Sequence, residues 1–208
     1  MLNRYARALV TRAVTPLARE LLRRGVRPDA VTLVGTGGVV AGALAFYPRG
    51  DFFWGSLVVT GFVLADVVDG TMARLSGRST RWGAFLDSSL DRVGDAAVFG
   101  GLVLWYAGRG ADPVLAAVAL WCLVGGALTS YVKARAEGLG ATCEVGLAER
   151  AERLTLVLVT TGLSGLFAWP WLRAGGLWLL AVAALVTVLQ RVVAVRRQLV
   201  AAGPPGAA

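Results

Sequence analysis

Histidine is absent from the 208-residue sequence, and cysteine occurs only twice, at Cys122 and Cys143. The absence of histidine excludes histidine-based acid–base catalysis and leaves carboxylates as the candidate bases. The two cysteines lie at no spacing typical of metal ligands, so we interpret them as packing residues. Charged residues make up only 16% of the chain, whereas 56% is hydrophobic. This composition is too apolar for a soluble globular domain and predicts an integral membrane protein.

Apolar segments long enough to cross a bilayer follow one another along most of the chain. Turn-forming residues such as Ser76-Gly77 and Trp169-Pro170 separate them. The fold class that this pattern predicts is an all-α integral membrane protein with six transmembrane helices. The predicted spans cover residues 30–48, 53–74, 82–107, 112–134, 152–169 and 173–195.

The first 28 residues differ from the predicted six-span domain, which covers residues 29–198. Their apolar residues lie on one helical stripe and most of their arginines on the other. This pattern is typical of an amphipathic helix that lies in the membrane interface. The segment lacks an uninterrupted apolar region and a small-residue cleavage site, so we predict no cleaved signal peptide. Residues 199–208, which end in GPPGAA, are expected to be a disordered tail.

Basic residues predict the orientation of the spans. Of the 21 arginines and lysines, all except Arg49, Arg109 and Arg173 fall on one predicted side. By the positive-inside rule, both termini are cytoplasmic in a multi-pass protein of the cell membrane. The net charge of +8 therefore indicates anionic membrane lipid and phosphorylated substrates as partners, rather than nucleic acid.

Four aspartates stand out within these apolar segments, because carboxylates at membrane depth are rare and usually functional. Asp66 and Asp69 share one arc of a helix, and Asp87 and Asp91 share one face of the next. A short turn joins the two helices, so the carboxylates can face each other. Clusters of oxygen ligands suit hard cations such as magnesium, manganese or calcium. The alternative is that the aspartates only hold helices together as buried polar groups.

Small residues lie on the same two faces, at Gly70, Ala73 and Gly83. They leave room for a bulky or phosphorylated ligand to approach the backbone. Arg74 points a guanidinium at the same place, which suits a phosphate.

The full pattern is D-x-x-D-G-x-x-A-R, eight further residues, then G-x-x-x-D-x-x-x-D. It resembles the signature of the CDP-alcohol phosphotransferase family at every fixed position. The resemblance implies transfer of a phosphatidyl group from CDP-diacylglycerol to an alcohol with release of CMP. It also implies a divalent metal, Mg²⁺ or alternatively Mn²⁺, and a homodimer.

The resemblance assigns roles to individual residues. It implies that Asp66, Asp69, Asp87 and Asp91 bind metal and that Asp91 is also the catalytic base. The residues expected to contact CDP-diacylglycerol are Asp29, Ala30, Val31, Thr32, Gly70, Ala73, Arg74, Thr80 and Gly83. Residues 29–32 are included because free N–H groups at a helix start favour anions. Asp29 is also a candidate helix cap.

The acceptor alcohol is predicted from basic residues that flank the later spans. The segments SYVKARAE, GLAERAERL and QRVVAVRRQ resemble those of bacterial family members that use inositol phosphate. This closer resemblance implies that Ser130, Lys133, Arg153 and Arg191 contact the acceptor phosphate. The alternative interpretation of each basic residue is ordinary positive-inside flanking.

Three other functions remain open from the sequence. Glycerol 3-phosphate is an alternative acceptor, as in phosphatidylglycerophosphate synthases. Intramembrane prenyltransferases also use aspartates on helices, but the second half of the motif does not match their spacing. A divalent cation transporter lined by the aspartates would leave Gly70, Ala73 and Arg74 unexplained.

Overall fold

The computed structural model describes residues 2–77, 80–147 and 149–201, and within these ranges the side chains from residue 13 onwards except that of Asp66. All the regular secondary structure in this described part is helical. The helices are α1 (Leu2–Arg23), α2 (Pro28–Phe46), α3 (Phe52–Val63), α4 (Ala65–Leu75), α5 (Arg81–Ala107), α6 (Pro113–Glu137), α7 (Arg150–Phe167) and α8 (Pro170–Ala201). A 3₁₀ turn, Tyr47–Arg49, follows α2.

The chain folds into two compact units, which divide between Gly101 and Leu102 within α5. In the N-terminal unit, α2 packs against α3 and α4, and α1 packs against α4. In the C-terminal unit, α8 packs against α6 and α7. Each unit therefore has its own buried interior, with Val59 and Phe99 in the first and Leu177 in the second.

Four segments of the described chain are long and apolar enough to cross a membrane, as expected of a membrane protein. They are Pro28–Arg49, Phe52–Leu75, Pro113–Glu137 and Pro170–Ala201. The predicted third and fifth spans, α5 and α7, do not meet the same standard. Every 18-residue stretch of α5 contains Asp91, Arg92 and Asp95, and α7 begins with several charged residues. The charges that make these helices functional candidates also lower their hydropathy.

The second predicted span consists of two helices rather than one. Helices α3 and α4 meet at Leu64, whose carbonyl accepts a hydrogen bond of 3.1 Å from the N–H of Val67. This i+3 bond replaces the regular helical pattern at the junction. The sequence does not indicate this break, because the residues on both sides of Leu64 are apolar.

Helix α1 lies against α4 through part of its apolar stripe. Ala18 is fully buried in a cluster with Val68 and Met72 of α4. Leu17, on another part of α1, remains 53% exposed. The amphipathic pattern of α1 thus serves partly to pack against α4, a helix that carries two of the aspartates.

Two local expectations are corrected at helix ends. Asp29 is not the cap of α2, because Arg27 occupies the N-cap position and Pro28 the first helical position. Proline is favoured there, since its missing N–H has no helical partner at that position. The tail prediction is also corrected over residues 199–201, because α8 extends to Ala201. Residues 202–208 lie outside the described residues.

Candidate active site

A cavity of about 380 Å³ lies among α2, α4 and α5 in the N-terminal unit. Its walls contain most of the motif positions and the start of α2. The lining residues are Pro28, Asp29, Thr32, Asp69, Gly70, Ala73, Arg74, Thr80, Gly83, Ala84 and Asp87. The fold therefore brings residues from the two halves of the motif together around one space.

Helix α4 supplies a carboxylate, an open backbone and a guanidinium to this cavity. Asp69 is buried, with 7% of its surface exposed. At Gly70, an added Cβ would meet only Arg74 Nη1, at 3.6 Å, so the backbone is open to the cavity. Arg74 is oriented by Thr71, whose Oγ1 accepts a 3.0 Å hydrogen bond from Nη2. Accessible backbone at Gly70 therefore lies between the carboxylate of Asp69 and the guanidinium of Arg74.

The turn before α5 and the first turns of α5 form the facing wall. Thr80 Oγ1 accepts a hydrogen bond of 3.0 Å from the N–H of Gly83, so Thr80 caps α5. Its hydroxyl proton remains available to a ligand phosphate or base. Asp87 lies one turn beyond Gly83 and is exposed to the cavity. Arg78 and Ser79 of this turn lie outside the described residues.

The start of α2 contributes two of the four residues predicted there. Asp29 and Thr32 line the cavity, but Ala30 and Val31 do not belong to the lining. Ala30 is exposed, and Val31 packs against the cluster of α1 and α4 that includes Met72. At 100° per residue, positions 29 and 32 share a face that the two intervening residues cannot share.

Asp91 lies one turn beyond Asp87 on α5 and is not among the residues that line the cavity. Its side chain is 17% exposed, and its Oδ2 is 3.6 Å from Arg92 Nη2. The carboxylate is therefore accessible and has a cation beside it.

The described carboxylates fit a divalent cation in type and placement. Asp69 and Asp87 line one cavity from different helices, and carboxylate oxygens are the ligands that magnesium and manganese prefer. The open position at Gly70 leaves space for a bound group beside Asp69. Among the described side chains, no three acidic, histidine or cysteine residues form a metal-binding group. The side chain of Asp66, the fourth predicted ligand, lies outside the described residues.

Two buried arginines of the predicted acceptor site pack on the same part of α6, within the C-terminal unit. Arg153, in the first turn of α7, is 3% exposed, and its guanidinium is 3.2 Å from where a Cβ on Gly126 would lie. Arg191 of α8 is 5% exposed and donates 2.6 Å from Nη1 to the carbonyl of Thr129. Both cations thus gather around residues 126–130 of α6. Buried cations at one place are an uncommon arrangement that suits an anion.

The other two predicted acceptor residues also lie on α6. Ser130 is half-buried, and its Oγ donates to the carbonyl of Gly126 at 3.2 Å. Lys133 is half-buried, with 43% of its side chain exposed, and its Nζ is 3.9 Å from Glu137 Oε1. Lys133 therefore resembles an ordinary surface cation more than the two buried arginines do.

Sequence reasoning missed the residues that orient these groups. Thr71 was detectable, because a hydroxyl three residues before Arg74 lies on the same helical face. Gly126 and Thr129 were not, because their contacts with Arg153 and Arg191 join residues far apart in sequence. No local pattern marks a glycine that makes room for a distant guanidinium.

A model of the CDP-alcohol phosphatidyltransferase family matches residues 26–190, which is most of the chain and includes both halves of the motif. The chain belongs to the CDP-alcohol phosphatidyltransferase family. Members of this family are enzymes, so the transporter interpretation is not supported. The family resemblance read from the aspartate motif is confirmed.

Two similar relatives within the family carry the same name. The chain is 58% identical over 204 residues to the phosphatidylinositol phosphate synthase of Streptomyces avermitilis, covering 95% of this chain and 84% of the relative. It is 50% identical over 193 residues to the enzyme of the same name from Mycolicibacterium smegmatis, covering 91% and 86%.

The chain is also similar to solved structures of a phosphatidylinositol phosphate synthase. The phosphatidylinositol phosphate synthase of Mycobacterium tuberculosis with CDP-diacylglycerol bound matches with a TM-score of 0.85 and 48% identity, over 88% of this chain and 94% of that one. The same enzyme in complex with manganese and citrate matches with a TM-score of 0.84 and 48% identity, over 88% of each chain.

Proposed function

We propose that the protein transfers the phosphatidyl group of CDP-diacylglycerol to a hydroxyl of inositol phosphate, giving phosphatidylinositol phosphate and CMP. The observation that carries the proposal is the cavity in which Asp69, Gly70, Arg74, Gly83 and Asp87 meet. It combines carboxylates for a metal, open backbone for a diphosphate, and a guanidinium for a phosphate oxygen. The names of the relatives reported above support this substrate class.

The reaction exchanges a phosphoanhydride bond for a phosphate ester bond. The hydroxyl oxygen of the acceptor attacks the phosphorus that carries diacylglycerol, and a new P–O bond forms. The bond from this phosphorus to the bridging oxygen breaks, and CMP leaves with that oxygen. The attacking hydroxyl gives its proton to Asp91, which is the proposed general base.

The other residues bind and orient the diphosphate. Gly70, Ala73 and Gly83 let it approach the helix backbones, and Arg74 donates hydrogen bonds to a phosphate oxygen. Thr80, whose oxygen caps α5, is proposed to donate its hydroxyl proton to the nucleotide. Asp66, Asp69, Asp87 and Asp91 would hold magnesium or manganese, which when bound neutralises charge on the diphosphate and the leaving CMP.

The acceptor phosphate is proposed to bind in the C-terminal unit, at Arg153 and Arg191 with Ser130 and Lys133. Two buried guanidinium groups on one part of α6 support a dianionic ligand. A neutral polyol would not use this charge. Arg153 and Arg191 are therefore proposed to select phosphorylated acceptors over free inositol.

The membrane arrangement is also part of the proposal. We propose six spans, with α5 and α7 crossing in addition to the four apolar segments, and with both termini and the active site cytoplasmic. Of the basic residues predicted on the outer side, Arg173 is buried and donates to Tyr106 Oη and Ser164 Oγ at 2.7 and 3.2 Å. These bonds stabilise a cation in that position. A homodimer is proposed from the family resemblance.

An acceptor panel tests the proposed function. Purified protein in lipid nanodiscs is given CDP-diacylglycerol and either inositol phosphate, free inositol or glycerol 3-phosphate, and CMP release is measured. We expect inositol phosphate to give the highest kcat/KM. Efficient use of free inositol would contradict the role of the basic residues, and a preference for glycerol 3-phosphate would make the protein a phosphatidylglycerophosphate synthase.

Arg153→Gln, assayed in the same panel, is expected to raise the KM for inositol phosphate by about one to two decades, because charge-assisted hydrogen bonds contribute roughly 1.5–3 kcal/mol. The KM for CDP-diacylglycerol should change little. Exposed Arg135 is the matched control, since Arg135→Gln changes the same charge outside the proposed site. An equal rise of both KM values in Arg153→Gln would show that the arginine supports the fold rather than the acceptor.

Gly70→Ala is expected to block CDP-diacylglycerol while leaving the fold intact. The new methyl group would meet only Arg74 Nη1 at 3.6 Å, so it fits the free protein but occupies ligand space. Crowding of about 1–3 kcal/mol predicts a loss of roughly tenfold to a hundredfold in kcat/KM. The melting temperature should not fall, since alanine is favoured over glycine within a helix by about 0.8–1.0 kcal/mol.

Gly61→Ala is the matched control for that experiment, because a Cβ at Gly61 of α3 meets nothing within 4 Å. Both variants gain the same methyl group in a helix of the same unit. Only Gly70→Ala should lose activity. Full activity in Gly70→Ala would place the diphosphate away from α4.

A further inference from the structure

The chain between α6 and α7 is fixed onto α8 over residues 141–147, which we call the docked segment. Ala141 and Cys143 are buried in a cluster with Ala136 of α6, against which Val195 of α8 also packs. This small apolar contact holds one end of the docked segment. The remainder is held by hydrogen bonds from three side chains of α8.

Gln198 holds the first part of the docked segment at its backbone. Its Oε1 accepts from the N–H of Thr142 at 3.0 Å, and its Nε2 donates to the carbonyl of the same residue at 2.7 Å. A side-chain amide that pairs with both backbone groups of one residue fixes that residue in position and rotation.

Thr187 holds the last part from within the protein interior. It is fully buried, and its Oγ1 accepts from the N–H of Leu147 at 3.3 Å while donating to the carbonyl of Ala183 at 2.7 Å. Its methyl group lies 2.7 Å from where a Cβ on Gly146 would be. Gly146 has a φ of +150°, which side-chain-bearing residues rarely adopt. Both facts require glycine where the segment approaches α8.

Arg191 lies one helical turn beyond Thr187 and is oriented by this segment. Its Nε donates to the carbonyl of Val145 at 2.8 Å, and its Nη1 donates to the carbonyl of Thr129 on α6 at 2.6 Å. The Val145 carbonyl lies between the two held residues, Thr142 and Leu147. The direction of the guanidinium therefore depends on where α8 holds the docked segment.

We propose that Thr187 and Gln198 are positioning residues for the acceptor phosphate: they hold the docked segment so that the Val145 carbonyl fixes the Arg191 guanidinium. Neither residue contacts the acceptor. They act on its KM through Arg191, and the proposal rests on the proposed role of Arg191 in phosphate binding.

Thr187→Val tests the proposal, because valine keeps the volume of threonine and removes the hydroxyl that binds Leu147. We expect the KM for inositol phosphate to rise about threefold to tenfold, the range for one hydrogen bond. The kcat at saturating acceptor and the KM for CDP-diacylglycerol should stay within about twofold of the wild-type values. Thr187→Ser keeps the hydroxyl, so its acceptor KM should equal that of the wild type. Gln198→Ala should raise the acceptor KM in the same way.

Thr160→Val is the matched control. Thr160 of α7 is also buried and also donates to a carbonyl four residues earlier, that of Leu156, at 2.7 Å. Its hydroxyl bonds to carbonyls of its own helix, those of Leu156 and Val157, so the substitution should leave the acceptor KM unchanged. If Thr160→Val and Thr187→Val raise the acceptor KM equally, the effect is general loosening of the helices and the proposal is wrong.

A second measurement does not depend on activity. Hydrogen exchange followed by mass spectrometry should show faster exchange of residues 141–147 in Thr187→Val and Gln198→Ala than in the wild type. Faster exchange without a change in acceptor KM would overturn the link to Arg191. Unchanged exchange would show that Thr187 and Gln198 do not hold the docked segment.

The same set of assays separates this proposal from the proposed function. If the wild type uses free inositol as well as inositol phosphate, phosphate binding by Arg191 is wrong and the positioning role fails with it. If the wild type requires the phosphate and Thr187→Val leaves its KM unchanged, only the positioning role is wrong.

Discussion

Asp87→Asn is expected to lower CMP release by on the order of a thousandfold or more, because the stabilisation that a metal gives to a breaking diphosphate amounts to several kcal/mol. Asp87 lines the cavity from α5, opposite the buried Asp69 of α4. Asparagine has the same shape but lacks the negative charge that attracts a divalent cation. Asp69→Asn should have a similar effect.

The fold should survive the Asp87→Asn substitution. Asp87 is exposed, so the exchange leaves no cavity in the interior. Its melting temperature and its yield from the membrane should match the wild type. Asp51→Asn is the control, because Asp51 is another exposed carboxylate of the same unit that does not line the cavity.

Manganese binding gives a readout apart from turnover. Free Mn²⁺ has a strong electron paramagnetic resonance signal, which falls when the ion binds to protein. We expect wild-type protein and Asp51→Asn to reduce the signal at concentrations where Asp87→Asn does not. Normal turnover together with normal manganese affinity in Asp87→Asn would refute the assignment of this residue as a metal ligand.

The convergence of Asp69, Gly83 and Asp87 on one cavity was predictable because it depends on short-range spacing. Intervals of three and four residues place side chains on one helical face whatever the rest of the fold does. The eight residues between the motif halves are long enough only for a turn. Residues such as Asp69, Gly83 and Asp87 therefore had to meet once both helices formed.

The membrane spans were less predictable where charged residues of the candidate sites lower the hydropathy of a helix. Helices α5 and α7 carry the charges of the candidate sites, so hydropathy alone does not mark them as spans. The break at Leu64 lies in an apolar run and leaves no trace in composition. A break that changes the direction of a helix depends on the residues packed against it. Those residues lie in other segments, so the sequence around Leu64 does not reveal the break.

The acceptor site needed the structure most. Basic residues at predicted span ends were visible in the sequence, but flanking cations and ligand-binding cations look alike there. The structure adds burial: Arg153 and Arg191 are 3% and 5% exposed, whereas 43% of the Lys133 side chain is exposed, beside Glu137. The bonds that fix Arg191 join residues 46 and 62 positions apart, a separation that no local pattern covers.

Asp91→Asn is expected to remove turnover while leaving CDP-diacylglycerol bound, because Asp91 is the proposed base and a base acts in the transition state. Loss of general-base catalysis costs typically about a hundredfold to ten-thousandfold in kcat. Asp91 is one turn from Asp87 but does not belong to the cavity lining, and its carboxylate has Arg92 at 3.6 Å. Its contribution to holding the lipid nucleotide should therefore be smaller than that of Asp87.

The measurement that checks this is a comparison of kcat with the dissociation constant for radiolabelled CDP-diacylglycerol in nanodiscs. For Asp91→Asn, kcat should fall by orders of magnitude. The dissociation constant for CDP-diacylglycerol should change less than about tenfold, because ground-state binding is mostly retained. Asp91→Glu keeps a carboxylate and should recover part of the rate. If Asp91→Asn loses nucleotide binding as completely as it loses turnover, Asp91 belongs to the binding site and the base must be sought among the other carboxylates.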